Sequence, residues 1–246
     1  MKRISSIALF IRLLFAIAML FPISSSASET ARRQPAKHKK HFVHNSYRHI
    51  FGVLQKLYPN SSLVFSCRQK GSSPTAEIVL NIMTSSNSPI CKEPLEILVS
   101  DSLTANAMAF RANALEREPA RIVISKGLMS LLHSESELAF VLAHEIAHIR
   151  REHFSPDLPL AMLTPKQLER INKTHDDWEH IADKEALRLL ESRVFDPFSS
   201  TRLLRRIVNT IALPHKDNTP YRAPINRRIA ELERHLYGQL LRQNAR

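Results

Sequence analysis

Ser134-Glu135-Ser136-Glu137-Leu138-Ala139-Phe140-Val141-Leu142-Ala143-His144-Glu145-Ile146-Ala147-His148-Ile149-Arg150-Arg151-Glu152-His153 is the stretch on which the reading of this sequence turns. It opens as a helix does. Ser134 stands where an N-cap hydroxyl accepts from the backbone three residues on, and Glu137 completes a capping box. Leu138, Ala139, Val141, Leu142, Ile146 and Ile149 then require burial. Inside this run lies His144-Glu145-Ile146-Ala147-His148, an H-E-x-x-H motif. A step of four residues turns an α-helix by ~400°, so both imidazoles leave one face, one turn apart. At that separation two imidazoles reach one Zn²⁺ at roughly 2.0–2.1 Å. Glu145 lies beside them, where it can contact a zinc-bound water and act as general base. The competing reading is two histidines on a solvated face. It suits so apolar a helix poorly, because unpartnered polar side chains are costly there.

A catalytic zinc takes three protein ligands and keeps one position open. A histidine six residues after His148 would be one solution, but position 154 is Phe. His153 is out of phase with the motif's face and reads as a surface histidine or one behind the ligands. A carboxylate on a second helix remains. Trp178-Glu179-His180-Ile181-Ala182-Asp183 is the best source, since Glu179 and Asp183 share a face. One can bind metal while the other accepts from the far nitrogen of a ligand histidine and fixes its tautomer. Spacing alone leaves Asp176, Asp177 and Glu185 as competitors, with His175 and His180 as outsiders.

Upstream, the pattern changes period. Residues 77–83, Leu95-Glu96-Ile97-Leu98-Val99, Asn106-Ala107-Met108-Ala109-Phe110-Arg111 and Ala120-Arg121-Ile122-Val123-Ile124-Ser125 read as strands. Their spacing near ten residues suggests a small meander. Ile50, Val53, Leu54 and Leu57 have helical spacing, ended by Pro59-Asn60-Ser61-Ser62. Downstream of Gly127 everything is helical. Thr164-Pro165 opens a helix running to about Leu190, Asp196-Pro197 another, and Pro224 a last one. Strands followed by helices give an α+β class: a small, mostly antiparallel sheet, the H-E-x-x-H helix, and a mainly helical C-terminal half.

Composition narrows the function. The chain has 246 residues, 43% hydrophobic and 24% charged, which suits one globular domain with a short appendage. Only 4 glycines occur and none form a phosphate-cradling turn, which argues against Rossmann and P-loop enzymes. Lys2 and Arg3, an apolar run from Ile7 to Ile23 broken by Arg12, and small residues Ser24 to Ser28 form a secretory leader pattern, with cleavage expected after Ala27. Arg12 leaves the apolar run too short to span ~30 Å of hydrocarbon. Export implies oxidising surroundings, so Cys67 and Cys91 are expected to form one disulfide, which would stabilise by ~3 kcal/mol in the chain-entropy account. The net charge is +12. Residues 28–46 are dense in Lys, Arg and His and read as a flexible basic arm. Such an arm suits peripheral contact with anionic lipid, or a solvated tail, while export argues against nucleic acid.

Taken together, the H-E-x-x-H at 144–148 and Glu179-His180-Ile181-Ala182-Asp183 resemble the paired signature of metallopeptidase family forty-eight, which includes the CAAX prenyl endopeptidase and HtpX. The resemblance spans most of residues 95–232. Asn106-Ala107-Met108-Ala109-Phe110 is similar to the family's N-A-x-A edge strand, and Ile124-Ser125-Lys126-Gly127-Leu128 to its strand-to-helix junction. Phe195-Asp196-Pro197 and Arg228-Ile229 resemble its F-D-P and closing R-I elements. The resemblance implies a zincin-like gluzincin over residues 47–246, with one Zn²⁺ held by His144, His148 and Glu179. Glu145 would be the base, and Asp183 would orient a ligand histidine. Asn106, Ala107, Met108 and Ala109 would pair with an extended polypeptide substrate. The lack of membrane spans points to the family's soluble, exported branch. One departure stands out. Many relatives carry His-Pro six residues before the closing Arg, where this chain reads Arg222-Ala223-Pro224. Arg222, His215 and Arg228 are the candidates for transition-state support in its place. A zinc-holding but proteolytically weak chaperone or binding protein of the same fold is the alternative this departure leaves open.

Overall fold

Five strands of the described residues make one sheet: β1 (Val64–Lys70), β2 (Glu77–Met83), β3 (Leu95–Ser100), β4 (Ala107–Arg111) and β5 (Ala120–Ser125). Among the described residues six helices accompany it: α1 (Ala36–Leu57), α2 (Lys126–Leu131), α3 (Glu135–Arg150), α4 (Pro165–Glu191), α5 (Ser199–Ile211) and α6 (Thr219–Asn244). The computed structural model describes residues 36–59, 63–70, 77–83, 95–111, 119–153, 164–211 and 219–244. The class is α+β, as the succession of periods predicts.

The strand order is β1-β2-β3-β5-β4. Three of the four pairings are antiparallel, while β3 and β5 run parallel, Leu95 opposite Ala120 through Ser100 opposite Ser125. A plain meander is therefore corrected. The chain leaves β3, passes β5's position, forms β4, and returns by an antiparallel pairing. Strand spacing near ten residues identifies neighbours in sequence but not which pair. The step over β5 is held by Gly127, whose N–H donates to Ser102 O at 2.9 Å. A Cβ on Gly127 would lie 2.1 Å from Leu103 O, so only glycine allows this approach. Ser125 completes the junction: its Oγ accepts from Asn106 N at 2.9 Å and caps α2 by accepting from Leu128 N at 3.0 Å.

β4 ends the sheet, and among the described residues nothing pairs with its outer edge. Ser125 N donates to Asn106 O, so Asn106, Met108 and Phe110 turn their backbone groups toward β5. Ala107 and Ala109 therefore direct theirs outward. Their small side chains pack on the main core, while Met108 and Phe110 cover Leu98 and Val123 on the opposite face.

Helix α3 is buried from Glu137 to Ile149 and touches α1, α4, α5, β4 and β5. A helix apolar on all sides belongs at the centre of a fold. Its N-cap forms, with Glu137 N donating to Ser134 Oγ at 3.3 Å, but the reciprocal half of the expected capping box does not. Glu137 itself accepts from His133 N at 2.6 Å and pairs with Arg206 of α5. Tyr47, Ile50, Val53, Leu54 and Leu57 of α1 are fully buried, matching the predicted apolar spacing, and Tyr47 Oη accepts from Val99 N at 2.9 Å. Helix α1 reaches back to Ala36, into the basic stretch read as an arm, so residues 36–46 are helical. Helix α6 starts at Thr219 rather than Pro224. Thr219-Pro220 supplies the start signal, and Pro224 lies inside the helix at the loss of one backbone bond. Among the described residues no helix is long and apolar enough to cross a membrane.

Candidate metal centre

Helices α3 and α4 pack along one another, and the contact between them carries the predicted site. Thr164 caps α4 in a capping box with Gln167, and Pro165 follows as the first helical residue. The helix then presents Glu179 to the motif on α3. His144 Nε2 and His148 Nε2 lie 3.0 Å apart. Glu179 Oε2 is 3.4 Å from His144 Nε2, and Glu179 Oε1 is 3.3 Å from His148 Nε2. A tetrahedral metal with bonds of roughly 2.0–2.1 Å holds its ligand atoms about 3.3 Å apart. Three donors at 3.0–3.4 Å therefore fit three corners around one ion. Two imidazole nitrogens and a carboxylate oxygen are also a zinc ligand set with a fourth position left for substrate or water. Both histidines are buried, while Glu179 keeps a fifth of its side chain exposed on the open side. His144, His148 and Glu179 would hold the ion.

A second row of charges fixes these ligands. Asp183, one turn beyond Glu179, places Oδ1 2.9 Å from His144 Nδ1. The contact is short but not aligned as a hydrogen bond, so it acts as a charge contact. Arg228 on α6 binds both carboxylates. Its Nε and Nη2 donate to the two oxygens of Asp183, each at 2.7 Å, and its Nη1 lies 2.7 Å from Glu179 Oε2. This two-pronged pairing is the strongest geometry available to a guanidinium. Burial opposes charge on every member, and their mutual attraction overcomes it. Glu179 is held well below the ordinary carboxylate range by Arg228 and the two histidines, and Asp183 is lowered by Arg228 and His144. Burial disfavours the charged form of His144, yet Asp183 and Glu179 raise its pKa to about 10. Glu145, adjacent to His144 and buried, is pushed up by burial, with the two histidines acting in the opposite direction.

The competing residues separate cleanly. Asp176 pairs with Arg227 at 3.1 Å, Glu185 with Arg150 and Arg151, and His180 with Glu231 at 2.6 Å. Asp177 is exposed, and His175 Nδ1 stays 4.0 Å from Glu179 Oε1. Arg228 enters the site, but its donors are committed to Asp183 and Glu179, so it is a clamp on the ligands rather than a free cation. Arg222 lies in α6 with its side chain outside the described residues, and His215 lies outside them altogether. So does Cys91. Cys67 is placed in β1 by its backbone alone, so the disulfide also falls outside what is described. Ala107, Met108 and Ala109 lie in the edge strand β4 beside α3, with Asn106 directly before it. Two contacts were not read from sequence. Arg228's grip on Asp183 is one, although the R-I element marks that position. His153 is the other: its ring stacks on Trp178 with 5.0 Å between centroids, and its Nδ1 lies 3.3 Å from His148 Nδ1.

A family model described as Peptidase family M48 matches residues 75–166, and no curated protein matches the chain. The matched segment carries β4, β5 and α3, and with them His144, Glu145 and His148. It stops before Glu179, which the fold supplies from α4. With the motif helix matched and the third donor in place, residues 75–166 are similar to the metallopeptidases of peptidase family M48, and the fold completes the metal-binding cluster of that kind of enzyme.

Proposed function

We propose that this protein is a zinc-dependent endopeptidase of the cell envelope that cleaves unfolded or misassembled polypeptides. The observation that carries the reading is the convergence of His144, His148 and Glu179 on one point, with Glu145 on the same buried helix and, alongside, the edge of β4 that no other described residue pairs with. A bound zinc would supply Lewis acidity, polarising the scissile carbonyl and making water a nucleophile near neutral pH. The remaining steps belong to the chain's own groups. The outward backbone of Ala107 and Ala109 pairs with an extended substrate, which selects unfolded chain because a folded one has no free strand to offer. Glu145 takes a proton from the attacking water and returns it to the leaving amine. Asp183 and Arg228 keep His144 and Glu179 oriented throughout.

The envelope assignment rests on the leader pattern of residues 1–27. The basic residues from 28 to 46 would allow peripheral contact with anionic lipid after export. Casein digestion by the purified mature protein, with and without a chelator, tests the reading. Glu145→Gln is expected to retain zinc and lose cleavage by about 10²-fold or more. Cleavage that survives in Glu145→Gln refutes the role of Glu145. Zinc binding without cleavage in the unmodified protein favours a chaperone of the same fold, the outcome that Arg222 in place of the family's histidine would explain.

A further inference from the structure

We propose that His153 is the positioning residue of His148, doing for that ligand what Asp183 does for His144. The inference rests on the reading of His144, His148 and Glu179 as a zinc site. A histidine that offers Nε2 to a metal carries its hydrogen on Nδ1, and that hydrogen needs an acceptor to fix the ring. For His144 the group facing Nδ1 is Asp183. For His148 it is His153 Nδ1, 3.3 Å away. His153 then accepts with Nδ1 and keeps its own hydrogen on Nε2.

By helical phase His153 belongs on another side of α3, and the way the helix ends removes that obstacle. Arg151 is the C-cap. Glu152 N donates to Ile149 O at 3.1 Å, and His153 N donates to His148 O at 3.0 Å. These are the two crossed bonds of a Schellman motif. Its reversing residue is usually glycine, but here it is Glu152 at φ 55°, in the left-handed region that a side chain disfavours. The reversal folds the chain back over the last turn and lays the ring of His153 against that of His148, their centroids 5.3 Å apart. Trp178 holds the other side. It stacks on His153 within 7° of parallel and directly precedes the ligand Glu179. One aromatic contact thus ties the end of α3 to the residue beside the third ligand. A histidine serving only to cap the helix would need neither the ring-to-ring approach nor the stack.

The test compares zinc affinity, by competition with a chromogenic chelator, in the full chain and two variants. His153→Phe keeps a ring for Trp178 and removes the acceptor. His153→Gln restores an acceptor. His153→Phe is expected to weaken zinc binding roughly 10- to 100-fold and to alter the visible spectrum of the cobalt-substituted protein, with His153→Gln recovering most of both. The inference is overturned if His153→Phe binds zinc within twofold of the unmodified chain, or if His153→Gln is no better than His153→Phe. If His153→Phe does not fold, His153→Gln and Trp178→Leu decide. The first should bind nearly normally and the second weakly, and the reverse order overturns the proposal. Absence of zinc from the unmodified chain is a different failure, that of the metal reading itself.

Discussion

Replacing Arg228 with Met leaves a side chain of similar length and removes the guanidinium that Asp183 and Glu179 share. The structure sets the size of the effect. Three contacts at 2.7 Å are lost, two of them a bidentate grip on an Asp183 side chain that is only 4% exposed. Removing one partner of a buried ion pair destabilises by about 3–5 kcal/mol, because the other charge stays behind. His144 remains beside Asp183 as a partial partner, which favours the lower end. For a domain of this size, ~3 kcal/mol lowers Tm by roughly 6–12 °C. Urea unfolding of zinc-stripped protein, followed by the fluorescence of the single tryptophan, Trp178, measures it. The sign with pH follows from the shifts. Both carboxylates have lowered pKa values in the fold, so their contribution is present above their unfolded values and lost as pH falls through the folded ones. The gap between the two proteins should therefore be full at neutral pH and narrow below about pH 4. A gap under ~1 kcal/mol at pH 7, or one that widens in acid, would refute the account of the clamp.

Two further outcomes follow from the same geometry. Because His144 is raised to about 10, it should carry a proton at pH 8 in zinc-stripped protein and release it when zinc binds. Calorimetry in buffers of different ionisation enthalpy should report about one proton per zinc there, fading above pH 10, whereas an ordinary histidine would release almost none at pH 8. Gly127→Ala forces a Cβ onto the Leu103 carbonyl and should destabilise by at least ~1–3 kcal/mol, read as a lowered urea midpoint with unchanged slope. An unchanged midpoint would mean that the β3–β4 connection is not held as described.

The legible parts of the site were the local ones. His144 and His148 could be read because a four-residue step on a helix is geometry internal to one element. Asp183's face followed from Glu179's by the same rule. The preference for Glu179 over Asp176, Asp177 and Glu185 came from the family resemblance, since no local rule says which turn of α4 meets α3. His153 was left between the surface and a place behind the ligands because helical phase was continued past Arg150. The reversal depends on a left-handed Glu152, and a glycine there would have announced it. The sheet was legible strand by strand except β1, but the parallel pairing of β3 with β5 is a non-local choice that spacing does not encode. The start of α1 at Ala36 was hidden by a composition that resembles a solvated tail.

The account stands or falls on zinc content. Metal analysis of the purified chain should find one zinc per molecule, lost in Glu179→Ala and retained in Asp177→Ala. A chain without zinc, or one whose Glu179→Ala variant keeps its full complement, would contradict it.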